Sequence, residues 1–174
     1  MKRLDIANKK QTQYLMKLFL AFTIVAISFG GTLNAQIHPH AIGLRLGGDG
    51  NINGAEISYQ RRLSDINRLE LDAGFGASRV HNRLTLIAIY QWVWKIDGGF
   101  NWYAGPAAGV GLYKYSNESD FINVGLGGQV GIEYDFNHLN NPFIISIDGR
   151  PMWDFLGGHA GFGWGASLGI RFTW

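Results

Sequence analysis

The last 14 residues of the chain alternate strictly between two kinds of side chain. One set is apolar throughout: Phe162, Trp164, Ala166, Leu168, Ile170, Phe172 and Trp174. The intervening set is small or polar: Gly161, Gly163, Gly165, Ser167, Gly169 and Arg171. Because successive side chains of a β-strand point to opposite faces, this period of two predicts a strand. A strand of about 9–11 residues crosses a bilayer at a tilt of about 45°, so the predicted strand is long enough to do so.

The same alternation recurs along the chain ahead of this strand. Further stretches show it between residues typical of turns, such as Gly, Asn and Asp. These stretches are 42–47, 55–60, 69–76, 83–96, 102–115, 122–136 and 143–150. Together with the last one they predict eight strands.

The composition of the second face indicates which side of the sheet is the inside. In a water-soluble barrel with an apolar cavity, that face would meet solvent and carry Lys, Glu and Thr. Here it is rich in glycine and serine, which suit the interior of a narrow barrel. We therefore expect the apolar face to contact lipid. Since hydrocarbon satisfies no backbone hydrogen bonds, a spanning sheet has to close on itself. The sequence thus predicts an all-β, eight-stranded antiparallel up-and-down transmembrane β-barrel.

The connections between the strands fall into two groups. Those at 64–67 and 97–99 are tight, as expected for periplasmic turns, whereas the connections predicted at the opposite end are longer, as expected for external loops. The longer connections are 49–53, 77–82, 116–120 and 154–159. The connection at 137–142 is placed on the short-turn side and departs from this pattern. An even strand number puts both termini on one side of the membrane.

Two stretches are less regular. In the fourth, Ile89 and Val93 share the small-residue face, so we assign the aromatic face with Trp92 and Trp94 to lipid, near the bilayer interface. In the fifth, Pro106 cannot donate to a ladder hydrogen bond, which predicts locally weakened pairing and a bulge.

The amino terminus has the features of a targeting segment. Basic residues, among them Lys17, precede an apolar run at 18–29, and small residues follow up to Ala35. This order is typical of a secretory signal peptide, which we place at 1–35, with cleavage after Ala35. The alternative is a permanent helical anchor, but the run is shorter than the roughly 20 residues that a spanning helix needs. The barrel domain is then 36–174.

Composition excludes several classes of function. The chain has 15 basic and 13 acidic residues, but five of the basic ones and Asp5 lie before Ala35, so the remainder carries a net charge of about −2. No basic excess remains to indicate nucleic-acid binding. Cysteine is absent, which excludes disulfides, zinc–thiolate sites and thiol catalysis. The chain has 25 glycines, but its aromatic content of 14% is not typical of a glycine-rich disordered chain.

Charged residues on the predicted inward face form the candidate site. They are Arg45, Glu56, Glu70, Asp72, Glu133, Asp148, Arg150 and Arg171. Because unpaired charge is unfavourable in so narrow an interior, we expect arginine–carboxylate pairs. We interpret them as a structural network that fixes the strand register. The alternative is a proton or ion path.

The predicted barrel resembles a known family. The alternating strands over 42–174 are similar to those of small eight-stranded outer-membrane barrels of the OmpA/OmpX type, and to outer-membrane barrel proteins of Bacteroidetes. The last strand resembles the carboxyl-terminal signal that the outer-membrane assembly machinery reads, although it ends in Trp where family members usually end in Phe. The residues of this assembly signal are Leu168, Ile170, Phe172 and Trp174. The resemblance implies a monomer in the lipid of the cell outer membrane.

Some barrels of this size modify lipid A, so catalysis has to be considered. Those resembling the lipid A deacylase place His and Ser two positions apart on one strand. None of the histidines here is followed by Ser at that spacing: His38, His40, His81, His138 and His159. We expect the last three in loops or turns. The His38-Pro39-His40 segment could ligate a metal only weakly, since no carboxylate cluster accompanies it. The sequence therefore predicts no catalytic residue, metal or cofactor.

Three functional hypotheses follow. The first is a non-enzymatic outer-membrane barrel with a side-chain-filled interior, whose role is structural or whose short loops bind an external partner. The second is a lipid-modifying barrel enzyme or a narrow small-solute pore. The third is a secreted, lipocalin-like ligand carrier, which requires the large apolar side chains to point inward.

Overall fold

The computed structural model describes residues 37–48, 53–77, 81–115, 121–156 and 161–174. They belong to one compact unit, Asn34–Trp174. The predicted signal peptide at 1–35 lies outside the described residues. Within the described ranges, no helical segment has the length and hydropathy needed to span a bilayer.

Eight antiparallel strands form a closed barrel in sequence order. Their bounds are β1 His40–Gly48, β2 Asn53–Arg62, β3 Asn67–Ala77, β4 His81–Asp97, β5 Phe100–Tyr115, β6 Phe121–Asp135, β7 Phe143–Asp154 and β8 Gly161–Thr173. The first and last strands close the sheet through pairs that run from Ala41↔Thr173 to Gly48↔Ala166. The predicted all-β, eight-stranded antiparallel up-and-down barrel is confirmed.

The strands extend beyond their predicted limits at several points. β7 continues to Asp154 because the alternation of inward and outward side chains persists past Arg150. His81, which we expected in a loop, is the first residue of β4, so that expectation was wrong. The long connection between β6 and β7 contains a short 3-10 helix, Phe136–Leu139, which ends at Asn140 with a left-handed φ of 61°. This helix accounts for the length of a connection that otherwise lies on the tight-turn end.

The large apolar side chains point away from the barrel axis. On β8, Trp164 is 63% exposed, Leu168 60% and Phe172 44%. On β4, Trp92 is 39% exposed whereas Ile89 and Val93 are buried, which is the assignment made from the sequence. An interior lined by these large side chains, as the ligand-carrier hypothesis requires, is therefore excluded.

Pro106 was expected to weaken strand pairing and to form a bulge, and the structure shows only the weakened pairing. The β4–β5 ladder omits Gly105 and Pro106, then resumes in the same register, so the pairing is weakened without a bulge at this point. The predicted bulge at Pro106 was wrong, because a missing N–H removes a hydrogen bond without inserting a residue. The register shift in this ladder lies between Lys95 and Asp97, beside the tight turn.

Candidate functional site: the barrel interior

All eight charged residues of the predicted network lie inside the barrel. Seven are buried, and Glu56, whose side chain is 19% exposed, is intermediate. The buried members are Arg45, Glu70, Asp72, Glu133, Asp148, Arg150 and Arg171. Their strands place them inward because each occupies an alternate position relative to an exposed apolar residue.

Arg45 is the hub of the first group of ion pairs. Its Nη1 donates to Glu56 and to Asp72 Oδ2, the latter at 2.8 Å. Its Nη2 donates to Asp148 and to Ser167 Oγ, the latter at 3.0 Å. One guanidinium on β1 thus contacts side chains from β2, β3, β7 and β8, and ties together strands that are far apart in sequence.

Arg150 adds a second cation to this group. Its Nη1 donates to Glu56 Oε1 at 3.2 Å, and its Nη2 donates to Asp72. We call Arg45, Glu56, Asp72, Asp148 and Arg150 the central cluster. Its three carboxylates face two guanidinium groups, so most of the buried charge is compensated by direct contacts.

Arg171 and Glu70 form the next layer toward the chain termini. Arg171 donates to Glu70 Oε1, Ser58 Oγ and Ser146 Oγ, each at 2.9 Å. Glu70 Oε2 also accepts from Gln60 Nε2 at 2.6 Å. Both charged side chains are fully buried, and each of their nitrogen or oxygen atoms has at least one hydrogen-bond partner.

Arg68 belongs to a further group of polar side chains and was not predicted, although its partner Glu133 was. Arg68 pairs with Glu133 through two hydrogen bonds of 3.1 and 2.7 Å. It also donates to Gln91, and its guanidinium carbon lies 4.9 Å from the centre of the Tyr103 ring. The sequence carried a signal for Arg68, since it lies two residues before Glu70 and therefore on the same face.

The residues before β1 close the end of the barrel that carries the termini. Ile37 is 6% exposed and packs with Val93 and Tyr103. Arg62 holds this segment, since its Nη1 donates to the Ile37 carbonyl at 3.3 Å and its backbone N–H donates to Pro39 at 3.0 Å. We call residues 37–39 the stopper. The sequence did not reveal it, because a single Ile outside a strand has no periodic pattern.

His38, within the stopper, and His40, which follows it, point to different partners. His38 Nε2 lies 2.8 Å from Asp135 Oδ2, whereas His40 Nδ1 lies 2.8 Å from Tyr59 Oη. His40 also stacks on Trp174, with ring centroids 5.4 Å apart. In the described part of the chain, no three His, Cys, Asp or Glu side chains group to hold a metal ion.

The half of the barrel opposite the chain termini is less completely filled. It contains a cavity of about 120 Å³. Arg45, Glu56 and Arg150 form its floor, and β1, β2, β3, β5, β6 and β8 each contribute glycine to its wall. The interior is therefore filled by side chains in one half, while the other half keeps a cavity that side chains such as Arg83, Tyr113 and Met152 also line.

The residues of the proposed assembly signal all lie on the outer surface. Leu168 is 60% exposed, Ile170 51%, Phe172 44% and Trp174 54%. Phe172 and Trp174 stack with ring centroids 6.3 Å apart. They are thus accessible along one side of β8.

Comparison with known proteins identifies a class of fold. No protein-family model and no curated protein sequence matches this chain. Its fold is similar to that of neisserial surface protein A (NspA), with a TM-score of 0.60 and 14% identity over 78% of this chain and 95% of that one. It is also similar to the N-terminal β-barrel domain of Pseudomonas aeruginosa OprF, with a TM-score of 0.59 and 18% identity over 78% and 96%. At these identities the likeness establishes the shared barrel fold.

Proposed function

We propose that this chain is an integral protein of the outer membrane, with a non-enzymatic structural or surface-interaction role. The observation that carries the proposal is the distribution of polarity across the sheet. Large apolar side chains are exposed on all eight strands, while arginines and carboxylates are buried inside. A barrel in water would have the reverse arrangement, since exposed apolar area on this scale is unfavourable there.

Aromatic side chains support a membrane placement as well. At the end that carries the termini, Trp94 and Trp102 stack with centroids 4.1 Å apart, and Tyr134 contacts Phe100 at 4.6 Å. Trp153, at the loop end, is 54% exposed. Aromatic girdles at both boundaries of an apolar band are typical of transmembrane barrels.

The filled half of the interior favours a non-conducting barrel over a small-solute pore. Arg45, Glu70, Asp72 and Arg171 are fully buried, and the stopper lies beneath them. In this proposal the barrel is a monomer of the OmpA/OmpX type that the assembly machinery inserts through the β8 signal. Its loops are the surface available to an external partner.

Folding into lipid tests the proposal directly. The purified chain, refolded into liposomes of outer-membrane lipid, is expected to show heat-modifiable migration on gels and protection of its strands from protease. Liposomes loaded with a small dye are expected to retain it, and mass spectrometry is expected to find lipid A with all its acyl chains. A soluble, unprotected protein would refute the membrane placement. Dye leakage or acyl loss would refute the non-conducting or non-enzymatic role.

A further inference from the structure

Two prolines lie in one row across the barrel wall, and each interrupts a ladder. Pro106 pairs with Gly128 across β5 and β6, and the β6–β7 register places Pro151 opposite Gly128. The β4–β5 ladder is interrupted at Pro106. The β6–β7 ladder omits residues 128–129 and 150–151 and then resumes in the same register. The wall is therefore weakened at one height on both sides of the β5–β6 hairpin.

The β6–β7 interruption leaves the Gly128 carbonyl without its ladder donor. The carbonyl oxygen of Pro151 lies 2.1 Å from the position that a Cβ on Gly127 would take, so the polar groups of Pro151 point toward β6. An antiparallel partner at this position would donate its N–H to Gly128, but proline has none. We call residues 128–129 and 150–151 the seam.

Side chains do not join the two strands at the seam. Its inward residues are Gln129 and Arg150, and both are buried. Gln129 accepts from Gln91 on β4, whereas Arg150 donates to Glu56 on β2 and Asp72 on β3. The side-chain nitrogen of Gln129 and the Nε of Arg150 have no hydrogen-bond partner. Among the described residues, the side chains of the seam therefore do not replace the missing ladder contacts.

The part of β7 and β8 beyond the seam is held mainly at one edge. Toward β6, residues 152–154 pair with 125–127, and the amides of Phe155 and Leu156 donate to β6. On the other side, the β1–β8 ladder ends before it reaches residues 161–165, so these have no β1 partner in the described part of the chain.

This part of β7 and β8 also forms one wall of the cavity. Met152, Asp154, Gly163 and Gly165 line the cavity. No atom lies within 4 Å of the position that a Cβ on Gly163 would take, so this position does not interlock with a neighbour. Movement of this wall away from β6 would therefore open the cavity sideways.

We propose that the seam is a lateral gate, at which β7 and β8 separate from β6 and connect the cavity with the surrounding lipid. Its opening breaks the short pairing between 125–127 and 152–154 and the two amide hydrogen bonds that follow it. Beyond Pro106, residues 107–115 pair with 81–89 without interruption, which keeps the opposite side closed. That the gate leads into lipid rests on the proposed membrane placement, whereas the weakness of the seam does not.

Amide hydrogen exchange of the refolded full chain in detergent micelles tests whether the seam opens. Leu126↔Trp153 and Ala88↔Ala108 are matched pairs, since each lies two positions beyond an interrupted position of its ladder. Local opening exposes amides without global unfolding, so we expect the protection factors of Leu126 and Trp153 to be at least about tenfold lower than those of Ala88 and Ala108. Equal protection of the two pairs would overturn the proposal.

Restoring the missing donor tests the cause of the weakness. Pro151→Val supplies an N–H for the Gly128 carbonyl and should raise the protection factors of Leu126 and Trp153 by about fivefold or more. Pro106→Val makes the same change in the same row of the other ladder and should leave these two amides unchanged. No gain from Pro151→Val, or an equal gain from both variants, would overturn the proposal.

Labelling of a single cysteine tests whether the opening reaches lipid. The chain has no cysteine, so Met152→Cys introduces one thiol that lines the cavity. Ile147→Cys places the control thiol on the exposed face of the same strand. The refolded variants are exposed, in liposomes, to a phospholipid that carries a maleimide at the end of an acyl chain, and the thiol adds across the maleimide double bond to form a thioether. We expect both variants to be labelled, and Pro151→Val to slow labelling of Met152→Cys alone, by about fivefold or more.

The labelling outcomes separate the gate from the membrane placement. Labelling of Ile147→Cys without labelling of Met152→Cys would overturn the lateral gate and leave the membrane placement intact. Absence of label on Ile147→Cys would contradict the membrane placement, and with it a gate that opens into lipid. If Pro151→Val does not fold, the two amide pairs and the two cysteines, each compared without that substitution, still decide the proposal.

Discussion

Replacement of Arg45 by methionine probes the central cluster most directly. Methionine matches the unbranched aliphatic part of arginine but removes the guanidinium that contacts Glu56, Asp72, Asp148 and Ser167. Asp72 and Asp148 are buried, so loss of the guanidinium leaves two buried carboxylates with fewer donors. We therefore expect the variant to be strongly destabilised.

The magnitude follows from what remains after the change. Arg150 continues to contact two of the three carboxylates, whereas Asp148 loses its arginine and keeps the Tyr103 hydroxyl, at 3.0 Å. Removal of one partner of a buried pair costs about 3–5 kcal/mol, because the other charge is left uncompensated. With a slope of about 2 kcal/mol/M in urea, the unfolding midpoint falls by roughly 1.5–2.5 M.

The assay is urea unfolding of the barrel in lipid vesicles, followed by the loss of heat-modifiable migration. Arg61→Met is the matched control, since Arg61 is exposed on the neighbouring strand, and its midpoint should match that of the wild type. The double variant Arg45→Met/Asp148→Leu removes the stranded charge together with its cation. Its free energy of unfolding should be about 1–3 kcal/mol higher than that of the single variant, because burying two apolar side chains is less unfavourable than burying an uncompensated carboxylate.

Either of two results would contradict this reasoning. If Arg45→Met and Arg61→Met have the same midpoint, the central cluster does not stabilise the barrel. If the double variant is less stable than Arg45→Met, Asp148 is not the uncompensated charge.

Three other variants test separate features. Leu168→Arg places a charge on the outer face and should lower the free energy of unfolding in lipid by up to about 2–4 kcal/mol, depending on its depth. The control Leu168→Met should keep the stability of the wild type. Equal urea midpoints of the two variants would argue against lipid contact. Gly43→Val should prevent closure of β1 on β8, because a Cβ on Gly43 would overlap the Ile170 carbonyl oxygen. Gly163→Val is the control, since a Cβ there meets no atom within 4 Å. A normal folded yield for Gly43→Val would contradict the close approach of the two strands. Ile37→Ala should release the stopper and speed hydrogen exchange of the Arg62 amide, which donates to the carbonyl of residue 39. The urea midpoint of global unfolding should stay unchanged. Unchanged hydrogen exchange would show that Ile37 does not hold the segment.

The strands and their faces could be predicted because the barrel wall has a simple repeat. Each strand separates outward-facing from interior positions at every second residue, so hydropathy alone identifies both the strand and its inner face. This worked even for β4, where Ile89 and Val93 are apolar but interior, because the aromatic residues mark the outer side. It failed at Pro106, because the alternation contains no information on individual ladder bonds.

Partners across the interior could not be predicted. Arg45 and Asp148 are 103 positions apart, and Arg171 and Ser58 are 113 apart. Their contacts depend on closure of the barrel and on the stagger between strands, neither of which is encoded in a local pattern. Arg68 shows a different limit, since its face was evident from Glu70 but its strand begins earlier than the hydropathy indicates.

The distribution of side-chain size along the interior links the fold to the proposed function. The inward positions of β8 run from Gly163 and Gly165 beside the cavity, through Ser167, to Arg171 and Thr173 near the chain end. Gly169 also points inward, but the side chains of Arg45, Ser146 and Arg171 fill the space beside it. A conducting pore needs both halves hollow, whereas this gradient leaves one half open and fills the other. The same residues that stabilise the sheet by buried ion pairs thus form the floor of the cavity. Arg150 connects the two halves, because its Nη atoms pair with Glu56 and Asp72 while the residue also lines the cavity.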